Sequence, residues 1–279
     1  LWDQVLSLCV RPEQRVNGQV INAFDYSQLT EQQPDGHRAR PARAAFDAYI
    51  GLLAELPAGS LDTLQQSSRK ALLINAYNAL AIKTIVDQFV FTGPGAMTGI
   101  RDLGDVFSSV WVHTAGTLAG SSVSLDDVEK GDGTTGLIGL LPSYHDPRIH
   151  SSIICASVSC PDLSTSAFTA ANVEELLDER VQAWLAHTTK GLDVDVATGT
   201  IHASKIFDWY RTDFDAWVDP VTSSGRLGFR GFLEKYAPKR VSDQLRALPD
   251  ASFEQRAVVY FDYDWSLNNV PARLIGGGH

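Results

Sequence analysis

The chain has 279 residues, 44% of them hydrophobic, with 23 basic against 33 acidic residues and a formal net charge of -10. Apolar content at that length is ample for a sizeable core, which excludes a largely disordered chain. Lys and Arg are scattered with no basic stripe to neutralise phosphates, which argues against a nucleic-acid partner; the longest apolar stretch, Ala71 to Val90, is broken by Asn75, Asn78, Lys83 and Asp87, which argues against a transmembrane segment.

Taken in chain order, 31–43 and 92–99 read as irregular. Between them, Phe46, Tyr49, Ile50, Leu53 and Leu56 fall at helical spacing over Ala44 to Leu56, and Pro57 with Gly59 stops that helix. Ser67 to Phe89 is apolar nearly all round, the pattern of a helix buried on most faces, so its interior Asn75 and Asn78 need partners. Alternation and glycines predict a β-hairpin over Val110 to Val123, and Ser124 with Asp127 three residues on predicts a capped helix directly after it. Ile149 to Cys155, short and β-branched, reads as a buried strand. Asn172 and Glu175 cap a helix reaching about His187, with Val173, Leu176, Leu177, Val181, Trp184 and Leu185 as its apolar stripe. A second hairpin follows over Leu192 to Ile201, then helices from Ser204 and over Phe229 to Tyr236, and a last strand from Ala257 to Phe261. No strand-helix-strand rhythm is present. The expectation is therefore α+β: a helix-rich single domain over 1–275 around a small, mainly antiparallel sheet, papain-like or transglutaminase-like, with 276–279 as a tail.

Concentrated chemistry lies between Asp146 and Leu163, where His150, Cys155 and Cys160 crowd together. A thiol is a useful nucleophile only as thiolate, and an imidazole or helix N-terminus nearby lowers its pKa. Five residues separate His150 from Cys155, so on a regular strand they point to opposite faces, while Pro161 after Cys160 fits the opening of a helix. The plainer readings are that the cysteines are inert packing, or that Cys155 and Cys160 form a disulfide with Cys9 left over. A metal site is the weakest option, because His145, His150 and the two cysteines lack ligand spacing; no metal and no cofactor is expected. Asn75 and Asn78 share one helix face and either orient an imidazole or, more simply, tie the helix to neighbouring backbone. Trp209, Tyr210, Phe214 and Trp217 fit a core first and a binding surface second, and Asp262 and Asp264 fit turns and caps.

Several blocks together resemble the DUF547 family: Leu73 to Leu80, Ser124 to Glu129, Asp146 to His150, Cys155 to Pro161, Ser204 to Tyr210 with Asp213 and Phe214, and Tyr263 to Asn268. The resemblance implies a bacterial-type member in which the domain stands alone, periplasmic or secreted behind an export signal, with the cytoplasm as the alternative and Leu1 as a mature or trimmed start. It names no activity. Relatives keep a cysteine more often at the position of Cys155 than at that of Cys160, which favours Cys155; where they carry a basic segment after the Ser124 block, this chain has Lys130 to Thr135. The leading expectation is a thiol-dependent hydrolase or acyl-transferase with Cys155 as nucleophile, His150 as base, Asn78 as orienting amide and Cys160 beside them, and with Trp209, Trp265 and Asn75 contacting a small molecule or peptide. The rival is a non-catalytic module whose cysteines are structural and whose aromatic residues bind a ligand.

Overall fold

The structure, a computed structural model, describes residues 1–30, 40–91, 95–104, 109–131, 137–219 and 228–271. Parts of the irregular segments expected at 31–43 and 92–99, most of Lys130 to Thr135, and the whole tail 276–279 lie outside these residues. The fold is α+β. Its strands make three small sheets: an antiparallel pair Val10–Val16 with Gln19–Phe24, a second antiparallel pair Thr114–Leu118 with Ser121–Ser124, and a ribbon Leu192–Asp195 with Thr200–Ala203 to which Val259–Tyr260 adds in parallel. No helix among the described residues is long and apolar enough to cross a membrane.

The helix Gln66–Gln88 is the axis of the first core. Leu73, Ile74, Leu80, Ile82 and Ile85 are fully buried within it, and each such side chain contributes roughly 1.5–3 kcal/mol by leaving water. Helices Trp2–Cys9 and Pro41–Glu55, both hairpins of the N-terminal half and the first turns of helix Val173–Leu185 pack around it. That last helix is shared. Val173, Leu176 and Leu177 enter the first core, whereas Val181, Trp184 and Leu185 enter a second one with Phe207, Phe214, Phe229, Phe232 and Leu245.

Local chemistry accounts for much of this. The hairpin at 114–124 turns through Ala119 and Gly120, both with positive φ (50° and 77°), the paired left-handed conformation of a tight hairpin turn. Ser124 then accepts from the Asp127 amide at 3.1 Å while Asp127 Oδ2 accepts from the Ser124 amide at 2.7 Å, which fixes the start of helix Leu125–Glu129.

Three expectations are corrected. Residues Ile149 to Cys155 are not a strand: Pro147–Ser151 is a 3-10 turn and the chain is irregular beyond it, because Asp146 caps the turn by accepting from the Arg148 amide at 3.1 Å and, among the described residues, no strand pairs with it to complete a ladder. Val110–Val112 is likewise a 3-10 turn, so the hairpin begins only at Thr114. Pro161 opens no helix; Lys190 holds the loop instead, donating to the carbonyl of Cys160 at 2.9 Å and to Asp162 at 2.7 Å. The N-terminal helix and hairpin, and helix Lys239–Ala247, have no counterpart in the sequence reading.

A charge network clamps the 3-10 turn. Arg148 pairs with Asp146 at 2.7 Å, Glu174 at 2.5 Å and Asp178 at 2.7 Å, and Lys70 pairs with Asp146 at 3.2 Å and Glu174 at 2.6 Å. Burial pushes the Asp146 carboxyl up, but Arg148 and Lys70 outweigh it and hold the group below the usual carboxylate range. A depressed carboxyl contributes stability that is present above its unfolded pKa of about 3.9 and is lost as pH falls through the lower folded value. Stability to urea is therefore expected to hold steady near neutrality and to decline below about pH 4. Arg148→Met, which leaves Asp146 buried without its main partner, should cost about 3–5 kcal/mol in the same measurement, whereas an exposed-pair control such as Lys239→Met should cost less than about 1 kcal/mol.

Candidate active site

The clamped turn and the loop after it carry His150 and Cys155 to the junction of the two cores. His150 is 3% exposed. Its Nε2 lies 2.9 Å from Asp213 Oδ2, a carboxylate acceptor that places the proton on that nitrogen. The ring is held between Tyr210, with centroids 4.0 Å apart, and Phe214, at 5.5 Å. Asp213 and Phe214 come from the short helix Arg211–Asp215, and Tyr210 is the residue that joins it to the helix Ile206–Trp209. Nδ1 makes no hydrogen bond among the described residues, and the ring lines a cavity of about 240 Å³.

Cys155 lines the same cavity. Its Sγ lies 3.0 Å from Ser157 Oγ and 3.1 Å from the Tyr263 hydroxyl, and those two oxygens are 3.3 Å apart. Burial pushes the thiol pKa up, but hydrogen bonds from Cys160, Ser157 and Tyr263 outweigh it and hold Cys155 below the ordinary thiol value. Cys160 moves the opposite way, pushed well above that value by burial and by its neighbour. The two are free thiols; Cys160 Sγ accepts from the Cys155 amide at 3.0 Å. The pair is thus divided into one sulfur poised as thiolate and one kept as thiol.

Tyr263 reaches Cys155 because the C-terminal segment straps across the first core. Val158 donates to the Ser266 carbonyl at 2.9 Å, Asn268 to that of Ala156 at 3.0 Å and Leu267 to that of Thr98 at 2.8 Å. The strap passes so close to Gly99 that a Cβ there would stand 1.9 Å from the Trp265 carbonyl oxygen. Ala156, directly after Cys155, has φ of 56°, a left-handed conformation that costs a non-glycine residue of order 1 kcal/mol and that the strap's bond to its carbonyl helps to hold.

Of the residues expected at a site, His150, Cys155, Cys160, Trp209 and Trp265 all line this cavity. Asn78 and Asn75 do not. Asn78 donates to the Ser152 carbonyl and accepts from the Ile154 amide, both at 2.9 Å, and Asn75 does the same with Phe168 at 2.7 and 3.0 Å. Each amide is spent on backbone that has no ladder of its own, so Asn78 shapes the loop between His150 and Cys155 and Asp213 takes the place beside the imidazole. The strand argument that turned His150 and Cys155 apart lapses with the strand, although no hydrogen bond joins the thiol to the ring. Asp213, Ser157 and Tyr263 have no role in the sequence reading, and Tyr210 enters it only as core or binding surface: 63 residues separate His150 from Asp213 and 108 separate Cys155 from Tyr263, and spacing carries no signal at that range. Among the described residues no three His, Cys, Asp or Glu side chains are grouped so as to hold a metal ion.

Comparison with known proteins gives one match. The model of a family described as "Protein of unknown function, DUF547" covers residues 61–185, which takes in His150, Cys155 and Cys160 and ends before Asp213 and Tyr263. No curated protein and no solved structure is matched.

Alkylation of the native protein by iodoacetamide, followed by peptide mass spectrometry, is expected to label Cys155 with a pH midpoint below the 8.5 or so of a free thiol, and to leave Cys160 and Cys9 unlabelled. Tyr263→Phe removes a donor to the thiolate; it should move that midpoint to higher pH and slow labelling at pH 7 by roughly two- to tenfold.

Proposed function

Since this chain belongs to the DUF547 family over residues 61–185, which names no reaction, we propose from the site itself that it is a thiol-dependent hydrolase or acyl-transferase with Cys155 as nucleophile. The observation that carries the proposal is the union, in one cavity, of a thiol held down by Ser157 and Tyr263 and an imidazole whose far nitrogen is held by Asp213. On that reading Cys155 is the nucleophile, His150 the base and Asp213 the orienting carboxylate, and Nδ1 is the ring nitrogen without a hydrogen bond among the described residues.

In this reading the Cys155 proton passes to His150 through water in the cavity that both line. The thiolate attacks an acyl carbon, and the carbonyl π pair moves to oxygen. When that pair returns, the bond to the leaving group breaks and the leaving group takes a proton from His150 Nδ1. The thioester then accepts water or a second nucleophile, which gives its proton to His150; the C–S bond breaks with its electron pair on Cys155. Asp213 stabilises the imidazolium in both halves and takes no proton itself. Cys160 supports the loop through its contact with the Cys155 amide and stays protonated.

A binding module with the same aromatic cavity would show none of this chemistry. Incubation with a p-nitrophenyl ester series should give a burst of nitrophenol and a protein mass raised by the acyl group on Cys155. Cys155→Ala should abolish the burst, and Asp213→Asn should lower kcat about 10²- to 10⁴-fold. A steady acyl-free protein across the series, or a burst that survives Cys155→Ala, sinks the proposal.

A further inference from the structure

One wall of the cavity has no part in the acyl chemistry. Helix Leu125–Glu129 ends in Glu129, which lines the cavity although the residue is only 2% exposed. Its Oε1 accepts from the Tyr210 hydroxyl at 2.8 Å. Oε2 makes no hydrogen bond, and no Lys, Arg or His pairs with the group among the described residues. The next residue, Lys130, is committed to Asp126 at 2.9 Å. A carboxylate taken out of water without a counter-charge is costly, and the cost falls when a bound cation supplies one.

Aromatic rings line the same cavity, namely Trp111, Trp209 and Trp265; Trp209 and Trp265 stack with centroids 5.5 Å apart, and Trp209 is 45% exposed. One of these rings already has a cation against it, since the Arg101 guanidinium rests 5.1 Å from the centre of Trp265. Buried carboxylate and indole faces together recognise an alkylammonium. An anion there would meet Glu129 and Asp126, and a neutral apolar group would leave Glu129 unpaired.

We propose that this part of the cavity binds the alkylammonium group of the substrate, either a free amine or a lysine side chain, with Glu129 as counter-charge and Trp209 and Trp265 as the rings it lies against. The assignment of that cation to a substrate rests on the reading of Cys155 as nucleophile; the binding itself does not.

The test is a tryptophan-fluorescence titration of wild type and Cys155→Ala with four probes: n-pentylammonium, Nα-acetyl-lysine amide, pentanol and pentanoate. Both ammonium probes, or one of them, should bind saturably and at least about tenfold more tightly than pentanol or pentanoate, and the tighter of the two identifies free amine or side chain as the source. Glu129→Gln should weaken ammonium binding about tenfold or more with less effect on pentanol. Should Glu129→Gln fail to melt cooperatively, Trp209→Ala, at an exposed ring, must weaken the ammonium probes more than pentanol. Equal binding of all four probes, or ammonium binding unmoved by the folded variants, overturns the inference. The two readings separate cleanly: ammonium-selective binding without an acyl-enzyme removes the nucleophile alone, and an acyl-enzyme without ammonium selectivity removes the cation site alone.

Discussion

Asp146, Arg148, Lys70, Glu174 and Asp178 form a clamp between the helix Gln66–Gln88, the turn Pro147–Ser151 and the helix Val173–Leu185. Among the described residues no strand pairs with the turn, and its position is set from outside. Arg148 supplies the fork that makes this possible: a planar guanidinium can meet Asp146, Glu174 and Asp178 at once, which a lysine at that position would not. His150 sits two residues further along, so the direction of its ring follows from where Arg148 is tied.

The same helix Val173–Leu185 feeds both cores, and the cavity lies where they meet. Cys155 belongs to the rim of the first core, Tyr210 to the rim of the second and Phe214 to its interior, with Asp213 on the same short helix as Phe214. Tyr263 arrives on a strap whose amides bond to Ala156 and whose own amides are met by Ser159 and Thr98. A pocket assembled from such distant pieces gains rigidity from the cores behind it while its reactive groups stay on short turns and loops, the usual division between scaffold and chemistry.

The Cys155 thiol pKa is held down without a helix N-terminus and without a hydrogen bond to the imidazole. Hydrogen bonds from Cys160, Ser157 and Tyr263 lower it, while burial and its neighbour push Cys160, a second sulfur in the same pocket, the opposite way. Two like groups with divided roles are a common mark of functional sites, because one environment cannot suit both. Glu129 and the tryptophans line the same cavity, and Tyr263 links the two sets, contacting Cys155 through its hydroxyl and Trp209 and Trp265 through its ring.

Local pattern was enough for elements whose signals are internal to them: the all-round apolar helix read over 67–89 forms as Gln66–Gln88, the capping box at Ser124 and Asp127 forms, and the hairpin read over 192–201 forms from Leu192–Asp195 and Thr200–Ala203. It also brought out His150, Cys155 and Cys160, which follow one another at five-residue spacing and which the fold brings to one cavity. The strand assigned to 149–155 failed because β-branched composition describes a residue's preference, while a strand exists only if a partner lies beside it. Asp213 and Tyr263 could not be paired with His150 and Cys155 from the sequence, because hydrogen bonds across 63 and 108 residues depend on where two cores and a strap come to rest. The sequence by itself determined which residues have the chemistry; the tertiary structure alone decided which of them meet, because a pKa and a hydrogen bond belong to a place rather than to a residue.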